Sequence, residues 1–279
     1  MPFLSAAVAA GGFLFAPMVA NGALATLSNI GPTRLEVAYE AITPVPWIGR
    51  QTTASATLTA DLSANRYRVA ANAKLEGVVD WFADASVAIV STGSVTALGL
   101  VPGRYDSSTK DGAKNRHVIV DFMQNEVAVI VRPKFGDWGF PAPTQPQKLE
   151  AMDPLAALME LTLRIDATPA NPCGGPLRIF DGKERYDLRL KFVRRLQWNT
   201  DVYRGPAIKC DITYIPIAGF DPKSAQQKAE DKTDLEWANF ILAELDGGDL
   251  TPPIKAELRS RRSGKYTIQA TRLKYGLAR

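Results

Sequence analysis

The stretch LRIFDGKERYDLRLKF, residues 177–192, decides how the rest of the chain is read. Leu177, Ile179, Tyr186, Leu188, Leu190 and Phe192 alternate with Arg178, Arg185, Asp187, Arg189 and Lys191. This is the two-residue period of strands with one face on a core and the other in water. Asp181-Gly182, between the two runs, is a dipeptide favoured in two-residue type I′ hairpin turns. Such a turn pairs Phe180 with Lys183, Ile179 with Glu184 and Leu177 with Tyr186. In that register the apolar set shares one face and the charged set the other, so turn chemistry and periodicity agree.

The same period recurs outward from the hairpin. In TRLEVAYEAI (33–42), Leu35, Val37, Tyr39 and Ala41 alternate with Arg34, Glu36 and Glu40. In NRYRVAANAKLE (65–76), Tyr67, Val69, Ala71, Ala73 and Leu75 oppose Arg66, Arg68, Asn72 and Lys74. Further strands are expected at 52–60, 86–92, 116–122 and 126–132, with turn formers between them, the spacing of an antiparallel all-β architecture. One helix interrupts the series at DPLAALMELTLRI (153–165). Asp153 suits its N-cap and Pro154 its first position, and Leu155, Leu158, Met159, Thr162 and Ile165 form a face expected to pack on the sheet. LEGVVDWF (75–82) reads as a short amphipathic turn and PKSAQQKAEDKTD (222–234) as an exposed linker. By pattern alone, LEWANFILAEL (235–245) is ambiguous between helix and strand.

The chain has two cysteines. Cys173 precedes the hairpin, and Cys210 lies in AIKCDITYIPI (207–217), where Ile208, Cys210, Ile212 and Tyr214 share the apolar side. In an oxidising compartment the simplest outcome is one disulfide, Cys173 to Cys210. A catalytic thiol or a metal pair are the alternatives; a thiol nucleophile needs a nearby base, and the chain has one histidine.

That compartment is suggested by the first 25 residues, which contain no charged side chain and end in Ala-Leu-Ala, the small-x-small pattern of signal cleavage. A basic n-region is missing. Gly11, Gly12, Pro17, Asn21 and Gly22 interrupt the run and argue against a bilayer span. Export with cleavage near Ala25 is expected, leaving a mature chain with no transmembrane segment. The net charge of +4, from 33 basic and 29 acidic residues spread along the chain, makes no nucleic-acid stripe.

With YEA (39–41), DPLAAL (153–158), FDGKERYDLRL (180–190), GPAIKCDITYIPIAGF (205–220), PPIKAEL (252–258) and SGKYTIQATRL (263–273), the chain resembles the bacterial exported proteins grouped as domain of unknown function 3108. The resemblance spans roughly residues 33 to 275. It implies a periplasmic, mostly β protein: an antiparallel open or spiral half-barrel with one or two short packed helices. It also implies a strand at 236–245 that pairs with the C-terminal hairpin, and it brings no settled activity or catalytic residues. The expected organisation is a signal peptide over 1–25 and a single exported β domain over 26–279.

The search for chemistry yields no catalytic residue and no metal or cofactor site. His117, in NRHVIVDF, reads as a solvated strand histidine. There is no His/Cys zinc cluster, no G-x-S-x-G and no phosphate-binding glycine loop. DGGD (246–249) lacks the spaced oxygens of a calcium loop and fits a hairpin turn. The most suggestive segment is RPKFGDWGFPAPTQP (132–146), whose Phe135, Trp138 and Phe140 are either packed as a plug over one end of the sheet or displayed as a lip. Trp81 and Phe82 are candidate neighbours. Three functional readings follow. The first is a non-catalytic periplasmic protein binding a lipid or another envelope component. The second is an envelope assembly factor acting through protein contacts. The third is a carboxylate-dependent hydrolase, whose paired acids leave no mark in a sequence.

Overall fold

The computed structural model describes residues 33–45, 47, 49–77, 85–96, 99–163, 167–220, 235–245, 250–260 and 264–277. The leader at 1–25, residues 78–82 of the expected amphipathic turn with Trp81 and Phe82, Ile165, the linker at 222–234 and the DGGD turn lie outside the described residues.

Thirteen antiparallel strands form one open sheet. The first arm comprises β1 (Thr33–Val45), β2 (Gly49–Leu62), β3 (Arg66–Leu75), β4 (Ala85–Thr96), β5 (Gly99–Asp111), β6 (Lys114–Phe122) and β7 (Val127–Arg132). The second comprises β8 (Leu177–Phe180), β9 (Arg185–Asn199), β10 (Arg204–Ala218), β11 (Leu235–Ala243), β12 (Pro253–Ser260) and β13 (Gly264–Leu277). Each arm is a meander, and they join where β1 pairs with β13, leaving β7 and β8 as the two edges. The segment after the linker is thus a strand, β11, paired with β12 of the C-terminal hairpin.

Two short helices lie between the edges, α1 (Gln145–Leu149) and α2 (Pro154–Leu163). α1 starts at a capping box: the Thr144 hydroxyl accepts from Gln147 N–H, and Gln147 Oε1 accepts from Thr144 N–H. Asp153 caps α2, its Oδ1 accepting the N–H groups of Leu155 and Ala156 at 3.0 Å each. At the other end Thr251 Oγ1 donates to the carbonyls of Leu161 and Thr162. α2 does not lay one face on the sheet. Leu155, Ala156, Ala157, Met159, Leu161, Thr162 and Leu163 are all buried, because the sheet curls round it. Leu35, Leu58 and Val69 of the first arm and Ala207, Ile241 and Ile254 of the second join Leu155, Ala156 and Met159 in one core. Ala157 and Leu161 face a second cluster with Leu177, Ile208 and Leu242.

The β8–β9 hairpin keeps the expected faces but not the expected turn. Leu177 pairs with Leu188, Ile179 with Tyr186 and Phe180 with Arg185, so the loop is four residues, Asp181 to Glu184. The half-buried Asp181 carboxylate accepts the N–H groups of Lys183 and Glu184 at 2.9 and 2.7 Å. This Asx geometry holds a wider turn, and a shift of two residues leaves every side chain on its face. Gly182, at φ +100°, packs against Val118 and Val120 of β6, where a side chain would collide. The hairpin tip therefore leans across the gap between the sheet edges. Arg185, expected in water, is 1% exposed. α1 covers that face, and the guanidinium donates to the Gln147 and Tyr186 carbonyls and to Glu150 and Asp187. Such a fully engaged charge tolerates burial.

Cys173 and Cys210 form a disulfide, both residues buried in the second cluster. It closes a loop of 37 residues, worth about 4 kcal/mol in the chain-entropy treatment. Replacing both cysteines by alanine is expected to lower the unfolding free energy by about that amount in denaturant titrations. An unchanged midpoint would contradict this.

Asp153 supplies a pH signature. Its Oδ2 accepts from Ser91 Oγ at 2.8 Å, and the residue is 0% exposed. Burial raises its pKa despite these hydrogen bonds. A carboxyl raised on folding contributes stability fully below its unfolded pKa and loses it as pH rises through the folded value. Asp153→Asn keeps a cap without the charge. The stability difference between variant and native protein should therefore move in the variant's favour between about pH 4 and about pH 7. A difference that does not change with pH would contradict the buried-carboxyl account.

Candidate functional site

The first arm is built from strands whose outward residues are small or hydroxylic near one end. Thr57, Asn72, Ala88, Ser108, His117 and Arg132 are successive cross-strand partners from β2 to β7. Ser55, Lys74, Ser86, Lys110 and Asn115 form the next such row two residues along. Strand side chains alternate between faces, and the adjacent row of opposite parity, Leu58, Ala71 and Ile89, belongs to the core. Both rows therefore face away from it. Alanine and serine in the centre with lysine and arginine at the margins leave a hollow of about 550 Å³.

The lining includes the cations Lys74, Lys110 and Arg132 and no acidic residue; Arg116, between Asn115 and His117, borders it but sends its side chain to the opposite face, over Phe135. Lys74 has Glu76 at 3.3 Å, outside the lining. His117, on the same wall, has its Nε2 2.7 Å from Asp106 Oδ1 and is partly exposed. Ser108 is its cross-strand partner. Hydroxyl, amide and cationic groups of this kind supply hydrogen-bond donors and positive charge for an anion. Among the described residues no three His, Cys, Asp or Glu side chains are grouped to hold a metal ion.

The aromatic loop begins where this hollow ends. Arg116 lies over the Phe135 ring at 4.7 Å and Lys183 at 5.7 Å, both cation–π contacts. Phe135 meets Trp138 edge to face at 5.1 Å. The backbone is pinned to the end of β10: Phe140 N–H donates to Phe220 O at 2.7 Å, and Gly219 N–H to Pro141 O at 2.8 Å. Gly139 makes this approach feasible, with φ +78° and a position where a Cβ would overlap the Gly219 backbone. Phe135 is partly buried, whereas Trp138 is 42% and Phe140 73% exposed.

The structure thus brings Phe135 and Trp138 together, with the Arg116 side chain over Phe135 on the core-facing side of the sheet, and places Cys173 and Cys210 in the core far along the chain from them. Lys110 and Arg132 are not singled out by sequence. They come together only through the register of strands β5 to β7.

Residues 37–229 match the family described as "Protein of unknown function (DUF3108)". The chain belongs to the DUF3108 family. Among solved structures, the DUF3108 chain is similar to a beta-barrel-like protein of domain of unknown function DUF1849 from Brucella abortus. That match has a TM-score of 0.50 and 11% identity, and covers 88% of this chain and 98% of the other. It shows a shared fold. A putative exported protein with a YmcC-like fold from Bacteroides fragilis matches at a TM-score of 0.28 and 11% identity, covering 86% and 95%. No curated protein matches the sequence.

The exposure of the loop predicts its mutational response. Trp138→Ala should change the unfolding free energy by less than about 1 kcal/mol, as surface substitutions do. Gly139→Ala should release the loop and open residues 133–142 to limited proteolysis. A Trp138→Ala cost of about 3 kcal/mol or more would instead mark a buried plug.

Proposed function

We propose that this DUF3108 protein is an exported, non-catalytic component of the cell envelope that binds an anionic envelope molecule in the hollow on its first arm. One observation carries the reading: a cavity of about 550 Å³ with three cationic side chains, Lys74, Lys110 and Arg132, several hydroxyls and no acid in its lining. A site of one sign with low-dielectric walls concentrates ligands of the opposite sign. Export is supported by the Cys173–Cys210 disulfide, which persists in oxidising compartments, and by the uncharged start ending in Ala-Leu-Ala at residue 25.

The lipid of this reading is met by its headgroup. α2 and its two clusters occupy the space inside the curled sheet, where an acyl chain would otherwise lie. A hydrolase would need converging carboxylates, and the hollow is lined by none.

The test is equilibrium binding in solution with two probes, dihexanoyl phosphatidylglycerol below its micelle concentration and an oligouronate. At least one is expected to bind, more weakly as salt rises. Lys110→Glu with Arg132→Glu should weaken that binding at least about tenfold. If neither probe binds, or if the double variant binds as well as the native protein, the reading fails and an assembly factor acting through protein contacts takes its place.

A further inference from the structure

The register brings the exposed tryptophans among the described residues, with Phe140, to one end of the sheet; the exposed Tyr275, opposite Leu35, lies at the other. Val45 pairs with Gly49 across the β1–β2 turn, which presents Trp47. Following the ladders across the first arm, Leu75 of β3, Ala85 of β4, Asp111 of β5 and Lys114 of β6 all lie toward that end. β7 runs toward it and finishes at Arg132, where the aromatic loop begins. The loop docks on Gly219 and Phe220, just past the matching end of β10, and β11 starts there with Trp237. Trp47 is 103%, Phe140 73% and Trp138 42% exposed. Among the described tryptophans, the exposed ones, Trp47, Trp138 and Trp237, are all at this end, while Trp198 packs against the core.

Two features show that these rings are held out. Trp47 has φ +66°, the left-handed region that a bulky residue adopts only at a cost, and such outliers concentrate at functional sites. Trp138 and Phe140 stand on a loop whose backbone is tied to Gly219 and Phe220. Cations accompany them: Arg50 and Lys134 are exposed beside the two aromatic tips, and Lys265 lies 5.6 Å over the Trp237 ring. Tryptophan prefers the headgroup layer of a bilayer, where its ring is dry and its N–H wet. Lysine and arginine close to the surface add attraction to anionic lipids.

We propose that this end of the sheet docks on an anionic lipid bilayer, with Trp47, Trp138 and Phe140 entering the headgroup layer and the neighbouring cations facing lipid phosphates. The docking shares only its anionic partner with the hollow, and it stands on different residues. No described helix is long and apolar enough to cross a membrane, so the attachment is a reversible surface contact that aromatic and basic side chains provide.

The experiment is flotation of the purified protein with phosphatidylcholine vesicles, with and without phosphatidylglycerol, combined with quenching of tryptophan emission by brominated acyl chains. The native protein should float with the anionic vesicles, remain free of the neutral ones at moderate salt, and show quenching. The Trp47→Ala/Trp138→Ala/Phe140→Ala variant should keep its melting temperature to within a few degrees and lose vesicle affinity at least about tenfold. Trp138→Phe and Trp47→Phe, which keep an aromatic ring, should retain flotation and show reduced quenching. Equal flotation of native and triple variants overturns the proposal, whatever the soluble probes do. So does a native protein that binds neither vesicle, which would assign the aromatic end to a protein partner. If vesicle binding depends on the aromatics while neither soluble probe binds, docking stands and the hollow loses its assigned ligand.

Discussion

A sheet that does not close leaves a row of unpaired backbone groups on each edge, open to pairing with another chain. The stretch between β7 and β8 deals with both edges. At β7, the Gln145 side-chain amide accepts from Val127 N–H at 3.0 Å and donates to Val127 O at 3.2 Å. At β8, Met152 N–H donates to Arg178 O and Met152 O accepts from Phe180 N–H, both at 2.9 Å. One residue later Asp153 starts α2, so the chain that protects the edges also delivers the helix around which the sheet curls. The hairpin tip at Gly182, resting on Val118 and Val120, adds a side-chain bridge across the same gap.

This arrangement determines where a ligand can be met. Helix α2 and the apolar residues around it fill the concave side. The outward face of the first arm remains, and there small side chains on adjacent strands leave a basic hollow. The aromatic loop belongs to the same crossover that caps the edges, which is why it is fixed at both ends, by Arg132 on one side and by the Gly219–Phe220 contact and α1 on the other. A loop so constrained can hold Trp138 and Phe140 in water without folding them onto the core.

Local rules were legible wherever one face of a strand meets water. Alternation identified β1, β3 and the β8–β9 hairpin, and the faces survived a turn two residues longer than expected because strand parity is unchanged by two. Asp153 and Pro154 marked the start of α2. Strand β5 does not announce itself in the sequence: Gly99, Pro102 and Gly103 break its pattern, and the sheet accommodates Pro102 only through a register shift beside Gly93. Helix α1 is a single short turn whose Thr144 and Gln147 capping pair stands among prolines. The burial of Arg185 and the clustering of Lys74, Lys110 and Arg132 depend on what lies across from each residue. Periodicity along one strand carries no such information.

The pairing of β1 with β13 orders the events by which the molecule is made. Each arm is a meander of neighbours in sequence and can zip from local contacts, whereas Thr33 must find Leu277. Pairings that distant are slow to nucleate because the intervening chain must first be ordered. The centre of the sheet is therefore completed last, when the final strand has been released, and until then β1 and the end of the second arm are sticky, unfinished borders. Until then a border strand can pair with another chain in place of its partner.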